Sequence, residues 1–357
     1  MFEFLKKRDY AATLEPGGAA LRVKGGQRLL TAALEAGFAW PHDCRVGSCG
    51  TCRCVLKRGR IKALTDFVYT LDPADIRAGA ILACQTLLKS DVVVEIELGA
   101  GAAALEEVCG TISGQRHLTH DIVEVTVSLE RPSFITARAG QYVDISSTQL
   151  AAPRSYSLAH APNHGDGRHC AFFVRHVRGG EFTDWLFAAN RCGEGLILRG
   201  PCGNFHRREG SGRMICIAGG SGLAPINALL EDAVRVGETR ACVVLFGARE
   251  MRDLYYLDEL AELGRRWGGP FSLWPVLSGE PTDSAWTGAR GMVTDDLTKA
   301  VGIERFDARD QAYACGPPAM IDAAITRLQS MGLATSAIYF DRFLDASTQA
   351  GGRGALR

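Results

Sequence analysis

The sequence predicts a multidomain chain in which an α+β part is followed by an α/β part. Three observations lead there. Residues 44 to 52, CRVGSCGTC, gather three cysteines, and a fourth follows at Cys84. Short strands broken by glycine and proline fill the region from Glu107 to Arg208. From Arg213 onward, apolar strands alternate with helical periodicity, the pattern of a parallel sheet covered on both faces. A chain of 357 residues also exceeds one ordinary domain.

Lys plus Arg equals Asp plus Glu at 40 each, so no net field draws the chain to nucleic acid or an anionic membrane. Glu3, Lys6, Lys7 and Arg8 interrupt any apolar signal core at the front. The apolar stretch Met214 to Leu230 is broken by glycines, Ser221 and Pro225, so it is not a membrane span. A cytoplasmic location is expected, where thiols stay reduced. The 12 cysteines then read as ligands and buried apolar groups, not as a disulfide framework.

Ala32, Ala33, Ala36 and Gly37 mark a short helix ahead of the cysteine loop. The loop spacing is Cys44-x4-Cys49-x2-Cys52, with Cys84 far downstream. That is the plant-type 2Fe-2S ligand spacing. Four thiolates must converge on two irons, and Gly47, Ser48, Gly50 and Thr51 are small enough to let backbone N–H groups reach the sulfurs. A Rieske centre needs histidine ligands, and a structural zinc site more naturally shows two close C-x2-C pairs. Cys54 alternates away from the loop and reads as a packed thiol. VVVEIEL (Val92 to Leu98) is the last strand of this region, and GAGAAAL is a linker.

VEVTVSLE alternates strictly, with Val123, Val125, Val127 and Leu129 on one face. GQYVDI, CAFFVRHV and GLILRGP supply further strands, and together these suggest an antiparallel barrel. MICIA is then an apolar strand followed by a helix with Ile226, Leu229, Leu230 and Ala233 on one face. CVVLF is the next buried strand, followed by a helix over Asp253 to Leu263. AYACGPPAM and a helix over Ile321 to Leu328 form a third unit.

Six short motifs carry chemistry. RSYS (Arg154 to Ser157) resembles the flavin-binding R-x-Y-S of the ferredoxin–NADP reductase superfamily. The resemblance implies that Arg154 meets the flavin phosphate, Tyr156 packs on the ring system and Ser157 sits near the reactive nitrogen. HVRGGEFTDWL looks like the family's pyrophosphate loop, with His176, Val177, Gly180, Phe182 and Thr183 ahead of a helix start suited to phosphate. AGGSGLAP matches a strand–glycines–helix turn for dinucleotides at Gly219, Gly220 and Gly222, with Pro225 where the usual fingerprint has glycine. It is similar to the superfamily's G-G-x-G-x-x-P. CGPP implies that Cys315, beside Gly316 and Pro317, lies next to the nicotinamide and assists hydride transfer. FGARE resembles the stretch flanking the adenosine ribose, which brings Arg249 to the nucleotide. YFDRF resembles the C-terminal segment whose aromatic residue faces the flavin, with Phe340 as the candidate.

The order of these motifs resembles the NADH-dependent reductase components of bacterial multicomponent oxygenases. The resemblance implies a β-grasp-like 2Fe-2S ferredoxin domain over 1–99, a linker over 100–106 and an FAD-binding β-barrel over 107–208. An NAD-binding α/β domain over 209–343 and a flexible tail over 344–357 complete the division. It further implies an oxidoreductase that takes hydride from NADH and passes electrons through FAD and a cluster at Cys44, Cys49, Cys52 and Cys84. The acceptor is a terminal oxygenase component or a separate ferredoxin, in aromatic hydrocarbon catabolism. FAD rather than FMN follows because the family's FMN members place the ferredoxin last. A monomer with no nucleic-acid partner and no membrane span is expected. A reductase of deoxysugar synthesis shares the domain order, and a zinc-stabilised nucleotide-binding module without redox activity is the reading from another class.

Overall fold

The computed structural model describes residues 8–42, 47, 50–71, 73–98, 106–134, 136–147, 150, 153–162 and 166–343. The chain divides into two compact units, Met1–Ala104 and Leu105–Arg357.

The first unit is a five-stranded mixed sheet carrying one main helix. Its strands are β1 (Tyr10–Glu15), β2 (Ala19–Val23), β3 (Arg53–Arg58), β5 (Ala80–Leu82) and β7 (Val92–Glu95), in the order β2-β1-β7-β3-β5. Helix α1 (Leu29–Glu35) lies between β2 and β3, and β4 (Ile61–Ala63) pairs with β6 (Thr86–Leu88) in a small second sheet. The short helix α2 (Pro73–Arg77) precedes β5. α1 exists because Leu29, Leu30, Ala32 and Ala33 bury one stripe against the sheet, where Trp40 and Leu82 also pack. β1 and β7 run parallel at the centre, and this β-grasp arrangement presents the segment before β3 and the turn after β5 at one end. β7 stops at Glu95, short of the Leu98 the sequence pattern suggests, and 99–105 lie outside the described residues.

The second unit begins with an antiparallel barrel. Its strands are β8 (Glu106–His117), β9 (Ile122–Leu129), β10 (Tyr142–Ser146), β11 (Arg154–Ser157), β12 (His169–Arg175) and β13 (Gly195–Cys202). They are ordered β11-β10-β13-β8-β9-β12. The end strands return beside each other, and Ala159 N–H donates to Ala171 O at 2.8 Å just beyond β11. The inward residues of β9 are the predicted Val123, Val125, Val127 and Leu129. Helix α3 (Glu181–Ala188) caps the barrel by burying Phe182 and Leu186.

The remainder is a parallel sheet of β14 (Met214–Gly219), β15 (Cys242–Ala248), β16 (Phe271–Leu277), β17 (Ala289–Arg290), β18 (Gln311–Gly316) and β19 (Ile338–Arg342). The order β17-β16-β15-β14-β18-β19 puts the reversal of winding between β14 and β18. β14 is buried along its whole length, as a central parallel strand requires. Helices α4 (Leu223–Arg235), α5 (Leu257–Arg266), α6 (Leu297–Val301) and α7 (Pro318–Ser330) cover the two faces. α4 buries Ile226, Leu229, Leu230 and Ala233, the stripe its periodicity predicts.

α5 begins at Leu257, not at Asp253. Tyr256 adopts a left-handed backbone at φ 61°, which a helix cannot contain. Its ring packs 4.8 Å from Phe173 of the barrel, and its hydroxyl donates to Glu124 Oε1 at 3.1 Å. Those tertiary contacts outweigh the helical tendency of DLYYLDEL. Among the described residues, no helix is long and apolar enough to cross a membrane.

Candidate functional site

Of the four predicted ligands in the first unit, Cys44 and Cys49 lie outside the described residues. Cys52 and Cys84 are both buried, and the Cys84 N–H donates to Cys52 Sγ at 3.5 Å. Ala83 N–H and the Trp40 indole donate to Cys52 O at 3.2 and 3.4 Å, pinning that residue from two sides. Gly47 and Gly50 have φ of +91° and +75°, and a Cβ at Gly47 would meet Gln85 Cγ at 2.6 Å. Both positions thus hold a left-handed backbone that favours glycine, and at Gly47 the space excludes a side chain as well. Thiol sulfur that already receives a backbone N–H is the donor chemistry of an iron–sulfur site. Cys54 is a different kind of thiol: burial, with Cys52 nearby, pushes its pKa far above the ordinary value, so it stays protonated.

On the barrel, RSYS is itself strand β11, with Arg154 opposite Ile145 and Tyr156 opposite Val143. The Tyr156 ring lies 5.3 Å from Phe182, and Arg154 Nη2 lies 3.6 Å from Glu181 Oε2, so β11 and the first turn of α3 are adjacent. Phe182 and Thr183 do not precede the helix; they form its first turn behind Gly180, the N-cap. Thr183 Oγ1 donates to Val177 O at 2.8 Å and accepts from Val177 N–H at 3.1 Å. That closed turn leaves Gly180 no room for a side chain, since a Cβ would sit 2.8 Å from Val177 O. Phe182 faces the barrel core, where it backs Tyr156. His176 bonds Asp184 Oδ1 through Nε2 at 2.8 Å and stacks on Phe187 at 4.6 Å. The turn thus ends at a helix start whose first N–H groups have no intrahelical acceptor, which suits a phosphate.

The nucleotide motifs meet where the winding reverses. Gly219 ends β14 and Gly220 and Gly222 follow it, while Cys315 and Gly316 end β18 and Pro317 caps α7. A Cβ at Gly222 would stand 2.2 Å from Cys315 O, and one at Gly219 would stand 2.5 Å from Met320 Sδ. Gly220 differs, having φ +55° and open space where its Cβ would be. Two glycines therefore let the strand ends approach and the third keeps one side clear, as a dinucleotide turn needs. Pro225 sits in the first turn of α4, where no donor is lost. Cys315 is fully buried in a cluster with Tyr255, Phe173 and Phe205, two of which belong to the barrel or its exit.

One residue sits elsewhere than its motif suggests. Phe340 packs on the α6–α7 side of the sheet beside Met320, away from the barrel, with the Arg342 guanidinium 4.5 Å from its ring centroid. Strand alternation instead carries Tyr339 and Phe343 to the barrel side. Arg249 is held by Asp121 of the barrel at 3.1 Å and by Asp253 at 3.4 Å.

Sequence reasoning missed Tyr255, whose hydroxyl donates to Gly220 O at 3.0 Å, and the group formed by Glu124, His160, Glu231 and Tyr256. The only signal for the tyrosines was the place of DLYY close behind FGARE, the stretch that resembles the flank of the adenosine ribose. His160 and its partners come from distant segments and have no spacing to read.

Comparison with known families places a 2Fe-2S iron-sulfur cluster binding domain at residues 12–89. An oxidoreductase FAD-binding domain covers 110–207 and an oxidoreductase NAD-binding domain 216–326. The xylene/toluene monooxygenase electron transfer component of Pseudomonas putida is 40% identical over 341 residues, covering 95% of each chain. The chain belongs to the oxygenase reductases. A phenol 2-monooxygenase reductase component from a Pseudomonas strain is 34% identical across 96% of this reductase and 97% of its own length. Among solved structures, an Amycolatopsis cytochrome P450 reductase superposes with TM-score 0.76 at 30% identity, covering 94% of this reductase and 99% of that chain. The ferredoxin reductase in carbazole 1,9a-dioxygenase gives 0.72 at 26% identity, with the same coverage. The reductase is therefore an oxidoreductase with 2Fe-2S, FAD and NAD domains in that order.

Proposed function

We propose that this reductase takes electrons from NADH and delivers them to the oxygenase component of an aromatic-hydrocarbon monooxygenase. The observation that carries the reading is one packed cluster, in which Cys315, Tyr255 and the barrel's Phe173 meet beside the Gly219–Gly222 turn. It supports a donor and an acceptor site built against each other. The likeness to the xylene/toluene electron transfer component over 95% of both chains supports the acceptor class.

The cofactors supply the redox chemistry: the nicotinamide gives an electron pair, the flavin stores it and the 2Fe-2S cluster carries electrons singly. This chain's residues hold and orient. Arg154, with the turn from His176 through Val177 and Gly180 to Thr183, would grip the flavin phosphates. Tyr156, backed by Phe182, would pack on the ring system, and Ser157 would face its reactive edge. Phe343 takes the covering role first given to Phe340. Gly219, Gly220 and Gly222 would pass the nucleotide phosphates into the α4 N-terminus, with Cys315, Gly316 and Pro317 beside the nicotinamide. Cys44, Cys49, Cys52 and Cys84 would ligate the irons. The carboxylates of Asp121 and Asp253, which neutralise Arg249, favour NADH over a nucleotide bearing a 2'-phosphate. We divide the domains at 99, 107 and 209. Every station lies on one chain, so the reading needs only a monomer in the cytoplasm.

The decisive experiment is the absorption spectrum of the purified protein under anaerobic NADH. Combined flavin and iron–sulfur absorption that bleaches on addition supports the reading. A colourless protein, as a zinc-stabilised module would be, overturns it.

A further inference from the structure

The seam between the barrel and the nucleotide domain holds one histidine with a carboxylate at each ring nitrogen. His160 Nδ1 lies 2.7 Å from Glu231 Oε1 of α4, and Nε2 lies 3.2 Å from Glu124 Oε1 of β9. The two carboxylates are largely enclosed, with side-chain exposures of 17% and 12%. Each ring nitrogen can satisfy a carboxylate only by donating, so the geometry demands the doubly protonated ring. Glu231 also accepts the Ala161 N–H at 2.9 Å and the Asn227 amide at 3.0 Å, which fixes its position. Glu124 accepts from Tyr256 and pairs with Arg116 at 2.8 Å.

From there the chain of contacts runs to the nucleotide turn. Tyr256 is held left-handed by this group, and Tyr255 beside it donates to Gly220 O. Asn227, inside the same α4 that starts at this turn, donates to Ala159 O of the barrel at 2.8 Å.

We propose that the Glu124–His160–Glu231 bridge is a clasp between the flavin barrel and the nucleotide domain, and that His160 is a positioning residue which sets the Gly219–Gly222 turn for NADH. This deepens the electron-transfer reading and rests on it. The groups facing the ring are Glu124, Glu231, Tyr256 and, behind Glu124, Arg116, with Glu259 near the last two. Burial alone would lower the His160 pKa, but the bonds to Glu124 and Glu231 raise it to about 9. The clasp is therefore fully charged below pH 6.5 and opens as pH passes about 9.

The test compares flavin-loaded wild type with His160→Gln and Glu231→Gln. NADH–ferricyanide kinetics are followed from pH 6 to 10, and hydrogen exchange is followed at residues 219–223. The expected result for His160→Gln is a KM for NADH raised about tenfold with kcat within about twofold, because ground-state positioning is lost and the hydride step is not. Wild-type KM climbs above pH 9, and that climb is absent in His160→Gln. Exchange in the turn speeds up in both variants. If His160→Gln does not fold, Glu231→Gln carries the same pattern, with KM raised about threefold. Unchanged KM and unchanged exchange in a folded variant overturn the clasp, as does a fall in kcat at constant KM. Wild type that reduces no ferricyanide overturns the electron-transfer reading instead, and the exchange comparison then decides the clasp by itself.

Discussion

The hydroxyl of Tyr255 donates to the carbonyl oxygen of Gly220 at 3.0 Å, so a side chain from the connection between β15 and α5 fastens the turn that leaves β14. Tyr255 is buried between Phe173 and Phe246, at 5.6 and 5.5 Å, so its ring has no alternative seat. Tyr255→Phe keeps that packing and deletes one bond. A neutral hydrogen bond contributes about 1 kcal/mol, so KM for NADH should rise about fivefold while kcat holds. Steady-state kinetics on saturating ferricyanide measure it, and an unaltered KM would show that the turn does not need this tether.

The glycines of the same turn should not be equivalent. A Cβ at Gly222 would collide with the Cys315 carbonyl, and that backbone cannot move without prising β14 from β18. A Cβ 2.2 Å from a backbone oxygen belongs at or beyond the upper end of overpacking costs, so Gly222→Ala should cost about 3 kcal/mol or more. At Gly220 the space is open and only the φ of +55° is unfavourable, a cost of about 1–2 kcal/mol. Thermal unfolding should rank Gly222→Ala well below Gly220→Ala; the reverse order would contradict this packing.

Cysteine substitutions separate ligand from packing thiol. Cys52→Ser or Cys84→Ser should strip iron and abolish reduction of cytochrome c. NADH–ferricyanide activity, which needs the flavin alone, should remain. Cys54 is buried on β3 with its proton retained, so Cys54→Ser should keep the iron and lose only stability, about 1–3 kcal/mol for a buried hydroxyl. Iron analysis decides: full iron in Cys84→Ser would remove that residue from the ligand set.

Much of this was legible beforehand, and the failures have physical causes. Period-two alternation gave β9 and the continuous apolar run gave β14, since burial dictates both patterns. The glycine turn was legible because the close approaches at Gly219 and Gly222 tolerate few residues, whereas RSYS and CGPP carried meaning only through their resemblance to the superfamily's motifs. The start of α5 could not be read, because the left-handed Tyr256 is imposed by Phe173 and Glu124, far away in sequence. Phe340 was misplaced for want of a strand register; once β19 pairs with β18 residue for residue, Phe343 faces the barrel. The clasp around His160 joins residues 36 and 71 positions apart, and no local pattern encodes such a meeting.

Acid should weaken the second unit through His206. The chain between barrel and nucleotide domain buries this ring, whose Nδ1–H donates to Arg207 O at 2.9 Å. Nε2 must then accept, and it does so from Arg138 Nη1 at 3.0 Å. A second proton would set N–H against a guanidinium. Burial lowers the pKa to about 4, and Arg208, Arg138 and Arg207 push the same way against the opposing bond to Arg207 O. A histidine depressed in the folded state takes up its proton first when unfolded. Stability from this residue is therefore whole above pH 6.5 and drains away as pH falls towards 4. One such proton gives a slope of about 1.4 kcal/mol per pH unit within that window. His206→Gln can still accept from Arg138 through its amide oxygen and has nothing to titrate. Urea unfolding of the variant at pH 7, 6, 5 and 4.5 should lose most of that slope, although carboxylates such as Glu124, held down to about 2, will still add their own below pH 4.5. Equal slopes for variant and wild type between pH 5 and 6.5 would mean that His206 does not carry the acid sensitivity.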